Sequence, residues 1–134
     1  MELPRQIHEA MIAHARFTFP EEACGLLAAD EDNRLRMAYC LTNVERSPAV
    51  YTVDPTEHFR SLQHAERNGW RLAGVFHSHP HSDPYPSPTD VAKALEPDWV
   101  YVLVSLKDQE EPDVRAFHIR NGDISEEPLL VTDH

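Results

Sequence analysis

Apolar residues recur near the start of the chain at helical spacing, with Leu3, Ile7, Ala10, Met11 and Ala15 on one stripe. This pattern predicts an amphipathic opening helix over residues 3–16, with Pro4 suited to the first helical position. The period then shortens. Cys24-Gly25-Leu26-Leu27-Ala28-Ala29 is a compact apolar run, Asp30-Glu31-Asp32-Asn33 reads as a turn, and residues 35–42 form a second strand, so a hairpin is expected. Asp54-Pro55-Thr56-Glu57 carries a capping residue, a first-turn proline and a glutamate three positions on, which opens a second helix over 55–68 that Gly69 ends. Residues 71–79 read as a central strand, and the unbroken apolar run 99–106 as the most buried strand of all. A proline-studded loop and a short helix lie between them. Residues 114–119 and 124–131 flank Asn121-Gly122, a tight-hairpin signal, and Pro128 confines the last strand to a sheet edge. Alternating helices and strands of this kind predict an α/β (α+β) fold, a mixed central β-sheet flanked by helices.

Composition narrows the setting. At 134 residues the chain suits a single domain, residues 1–134, able to bury most of its apolar surface without cross-links. A net charge of −11 opposes binding to nucleic acid phosphates or an anionic membrane, both of which call for clustered Lys and Arg. No apolar run approaches the roughly 18 residues of a membrane span, and the first residues lack the basic-then-apolar order of a signal peptide, so a cytoplasmic protein is expected. The two cysteines, Cys24 and Cys40, form no C-x-x-C pair and read as small buried hydrophobes.

The candidate chemistry lies in His77-Ser78-His79-Pro80 and Ser87-Pro88-Thr89-Asp90. His77 and His79 end a strand at spacing two, which points both imidazoles to one face. Burying two imidazoles side by side costs desolvation on each, and a shared metal ion offsets it. A third ligand is open to Asp90, brought back by the proline loop, or to His81 or Asp83, nearer in sequence but in a loop expected to meet solvent. Ser87 and Asp90 also fit a capping box at the start of the short helix, a role compatible with ligation. Two histidines and one carboxylate leave a coordination position open, the arrangement of catalytic zinc and not of structural zinc. His8, His14, His58, His64, His118 and His134 are scattered singly and read as exposed or helix-surface residues. Glu22, just before an apolar strand, is the carboxylate best placed to move protons at such a site.

Taken together, Glu22 within P-x-E-x-C-G, then H-S-H-P, six residues, S, two residues and D, resembles the JAMM motif of MPN-domain metalloproteases. The similarity runs from Pro20 to about Leu106, and every motif position is filled. It implies an MPN/JAMM, cytidine deaminase-like architecture. It also implies one Zn2+ held by His77, His79 and Asp90, with Glu22 as general base and Ser87 stabilising the oxyanion. The short length is similar to that of bacterial members acting on ubiquitin-like sulfur-carrier proteins. The resemblance therefore implies hydrolysis of the amide after a C-terminal Gly-Gly, releasing cysteine or another amino acid, with the extended tail adding as a strand to a sheet edge. Alternatives are a zinc peptidase acting on short cell-wall peptides and a non-catalytic MPN scaffold. A zinc deaminase would need H-x-E and P-C-x-x-C, which the cysteines cannot supply.

Overall fold

The computed structural model describes residues 1–133, so His134 lies outside the described residues. The chain runs β1 (Glu2–Pro4), α1 (Arg5–Thr18), β2 (Cys24–Ala29), β3 (Leu35–Leu41), α2 (Pro55–Arg67), β4 (Arg71–His79), α3 (Pro88–Lys93), β5 (Val100–Ser105), β6 (Asp113–Arg120), β7 (Asp123–Glu127) and β8 (Leu130–Thr132). Six strands form one sheet in the order β3-β2-β4-β5-β6-β7. Within this six-stranded sheet β4 and β5 pair in parallel while the other neighbours are antiparallel, so the sheet is mixed as expected. A parallel pair needs a long crossover. Here that crossover is the proline loop with α3, which returns chain to the end of β4 where the histidines stand.

The two faces of the sheet bury different sets of side chains. On one face Ile7, Met11 and Ala15 of α1 join Leu27, Phe76, Val102 and Val104. On the other, Leu26, Val75 and Tyr101 pack with Tyr51 and with Val91 and Ala94 at α3. Alternation along β4 puts His77 and His79 on the face of Val75, toward α3, and Phe76 and Ser78 on the face of α1. Gly25 permits close strand contact: a Cβ there would lie 2.1 Å from the Tyr39 carbonyl oxygen and 2.3 Å from the Phe76 ring. Asn121 and Gly122 both have positive φ, 52° and 84°, as a tight turn between β6 and β7 requires.

Several boundaries differ from the pattern-based expectation. Helix α1 begins at Arg5, with Pro4 as its N-cap, because residues 2–4 pair in parallel with β8 as a separate two-stranded sheet. The single strand expected over 124–131 is split around Pro128, which has no amide hydrogen to continue the ladder. Cys24 is buried, but Cys40 is exposed on the edge strand β3, correcting the reading of both as core residues. His14 and His64 are half-buried and bonded inward: His14 Nε2 lies 3.1 and 2.9 Å from the carbonyl oxygens of Cys24 and Leu41, and His64 Nδ1 lies 2.7 Å from the Tyr39 hydroxyl. No helix among the described residues is long and apolar enough to cross a membrane.

Candidate metal centre

The C-terminal end of β4 delivers His77 and His79, 3% and 5% exposed, to the start of α3, which delivers Asp90. The two Nε2 atoms lie 3.3 Å apart. Asp90 Oδ1 is 3.2 Å from His77 Nε2, and Asp90 Oδ2 is 3.0 Å from His79 Nε2. A tetrahedral ion with bonds near 2.0–2.1 Å has its ligand atoms about 3.3 Å apart, so these three donors fit one ion. The orientation of His79 agrees: its Nδ1–H donates to the Asp83 carbonyl at 2.8 Å, which leaves an Nε2 lone pair facing inward. The site is thus consistent with zinc.

Asp90 has two local duties that do not conflict. Ser87 Oγ accepts from the Asp90 amide at 3.1 Å, while Asp90 Oδ2 accepts from the Ser87 amide at 2.9 Å, completing the capping box. Accepting through oxygen leaves the Ser87 hydroxyl proton available to donate. Burial alone would raise the Asp90 carboxyl pKa, but its close contacts with the His77 and His79 imidazoles outweigh it and hold the group well below the usual carboxylate range. The rival third ligands are placed elsewhere. Asp83 is exposed and its carboxylate pairs with Lys107 Nζ at 3.1 Å, and the exposed His81 rests edge-on against Phe19 with ring centroids 5.4 Å apart.

Glu22 is 4% exposed, and its Oε1 is buried with no hydrogen-bond partner among the described residues. Burial pushes its carboxyl pKa up to about 7, against the opposing charge of His79. Such a group can both take and return a proton near neutrality. Its position is set by partners far away in sequence. Ser78, between the two histidines but on the opposite face, accepts from the Ala23 amide at 2.7 Å, and its own amide donates to the Ala23 carbonyl at 3.0 Å. Asn43 Nδ2 donates to the carbonyls of Glu22 and Val50 at 3.0 Å each, and Asn43 Oδ1 accepts from the amides of Glu45 and Thr52 at 3.0 and 3.1 Å. All of the side chain's bonding capacity is used. The loop it holds carries Tyr51, whose ring stacks on His77 at 4.5 Å between centroids. Asn43→Ala is expected to cost about 2–3 kcal/mol by stranding these four groups, lowering the melting temperature by roughly 6–12 °C in a thermal scan. Asn43, Tyr51 and Ser78 escaped the sequence reading. For Ser78 a signal existed, since spacing of one from each histidine puts it on the inner face.

The profile of prokaryotic homologs of the JAB domain matches residues 4–120. A CysO-cysteine peptidase from Mycobacterium tuberculosis is 41% identical over 125 residues, covering 92% of this chain and 86% of the relative. A desampylase from Haloferax volcanii is 38% identical over 111 residues, covering 78% of this chain and 80% of the relative. The solution structure of a protein from Desulfitobacterium hafniense superposes with a TM-score of 0.89 at 34% identity, covering 99% of this chain and 93% of that one. The chain therefore belongs to the prokaryotic homologs of the JAB domain and is a hydrolase of the JAMM type.

Proposed function

We propose that this chain is a zinc peptidase that hydrolyses the amide after the C-terminal Gly-Gly of a ubiquitin-like or sulfur-carrier protein, releasing cysteine or another amino acid. His77, His79 and Asp90 would hold the ion. The observation that carries the reading is the buried carboxyl of Glu22, whose Oε1 has no hydrogen-bond partner among the described residues, within electrostatic reach of His79 and Asp90 of that convergent set. The same three donors also suit ferrous iron, but a poised carboxylate base next to the site serves hydrolysis. The names of the two relatives, a CysO-cysteine peptidase and a desampylase, support a carrier-protein conjugate as substrate over short cell-wall peptides.

Zinc, when bound, lowers the pKa of water from 15.7 to about 7 and polarises the scissile carbonyl. The chain's own groups do the rest. Glu22 takes a proton from the attacking water, and as negative charge builds on the carbonyl oxygen the Ser87 hydroxyl donates to it. Glu22 then returns the proton to the departing amine, so one water is consumed and the carrier ends in a glycine carboxylate. Asn43 and Ser78 keep the glutamate in place. The outer edge of β3, which ends at Leu41 beside the start of β2, offers main-chain groups to an extended tail.

Incubation of zinc-loaded protein with a ubiquitin-like carrier bearing a one-residue extension after Gly-Gly, read by intact mass, tests the reading. The expected result is loss of the extension and none when a chelator is present. An intact carrier alongside hydrolysis of short cell-wall peptides would transfer the same chemistry to the rival substrate class.

A further inference from the structure

We propose that Lys93 binds the free α-carboxylate of the amino acid leaving the scissile bond, so that the site selects carrier conjugates ending in one amino acid over amides to a lysine side chain within a protein. The inference rests on the peptidase reading above and narrows its substrate class. Lys93 stands three residues after Asp90, one helical turn along the same side of α3. Its Nζ donates to the Tyr51 carbonyl at 2.5 Å and lies 5.3 Å from the centroid of the Tyr51 ring. That ring in turn stacks on His77. A loop anchored on Asn43 thus holds an ammonium group one aromatic ring away from a proposed metal ligand.

Three features separate this lysine from an ordinary surface charge. It is exposed to solvent, yet its polar partner among the described residues is a neutral carbonyl and not a carboxylate. An ammonium has three N–H donors, so two remain for a ligand. Its charge is also felt at both Glu22 and His77, inside a chain whose net charge is −11. By contrast, the Lys107 ammonium is taken up by Asp83.

The substrate's chemistry supplies the complementary group. When the leaving amine is the α-amine of a free amino acid, a carboxylate is attached to the same carbon as the scissile nitrogen, so it must sit close to the catalytic groups. A lysine side chain within a protein brings no such charge. One further residue on the extension moves the carboxylate away by up to about 3.6 Å.

The test uses the zinc-loaded full chain and a ubiquitin-like carrier ending in Gly-Gly-Cys, prepared once as the free acid and once as the C-terminal carboxamide. With kcat/KM read by intact mass, the wild type is expected to prefer the acid by about tenfold at low salt, the scale of one charge-assisted contact. The preference should shrink as ionic strength rises, because the ammonium is solvent-exposed. Lys93→Met should bring the ratio to within about twofold of unity, and Lys93→Arg should retain most of it. Equal losses on both substrates in Lys93→Met, with the acid preference intact, would show that Lys93 only clamps Tyr51 and would overturn the proposal. A wild type that cleaves acid and carboxamide equally would overturn it too, while leaving the peptidase reading standing. A wild type that cleaves neither would sink that reading and this inference with it.

Discussion

Replacing Glu22 by glutamine is expected to leave zinc at one ion per chain while cutting hydrolysis by at least about 1,000-fold. The substitution keeps shape and burial but removes the only part of the side chain able to accept a proton. General acid–base assistance is typically worth about 100- to 10,000-fold, and here one carboxylate serves both the attack and the departure of the amine. The Oε1 atom has no hydrogen-bond partner among the described residues, so the exchange breaks no structural bond of that oxygen there. Metal content by elemental analysis and kcat/KM by intact mass separate the two effects. Strong zinc loss would make Glu22 a ligand, and undiminished turnover would place the base elsewhere.

Asp90→Asn should show the reverse order of effects. The anionic donor is lost, and one end of the new amide turns an N–H toward an imidazole Nε2 that has to offer a lone pair. Zinc affinity is expected to fall by more than the roughly 10- to 100-fold that partners outside the coordination sphere cost. Activity should fall in proportion and recover as zinc is added in excess. The amide oxygen can still accept from the Ser87 amide, so the start of α3 and the melting temperature should change little. Full zinc occupancy at stoichiometric metal would show that Asp90 is not in the coordination sphere.

Most of the sheet was readable from its apolar runs, because strands β2 and β5 are almost wholly apolar and β4 carries the run 72–76, with turn residues around them. The pairing of β1 with β8 was not. Three-residue strands carry no usable period, and their register joins Glu2 to Leu130 from opposite ends of the chain. Cys40 looked like a core residue because it lies inside an apolar run, but β3 is an edge strand and turns alternate positions outward.

The site divides along the same line. His77 and His79 were legible as a pair, since strand alternation is local, whereas the capping box Asp90 shares with Ser87 read equally as a helix start, and only the family resemblance singled Asp90 out as the third ligand. Asp83 and His81 could be set aside only once the loop was seen to turn one toward Lys107 and the other toward Phe19. Glu22 next to Glu21 looks like a solvated acid in sequence. Its burial comes from Ser78 and Asn43, 55 and 21 residues from the backbone groups they hold. Tyr51 and Lys93 meet across 42 residues, through a loop with no periodicity of its own.

The most direct test is diffraction from zinc-soaked crystals at wavelengths on either side of the zinc absorption edge. The account predicts one anomalous peak within bonding distance of His77 Nε2, His79 Nε2 and an Asp90 carboxylate oxygen. Imidazoles turned apart with no peak between them, in crystals holding excess zinc, would contradict it.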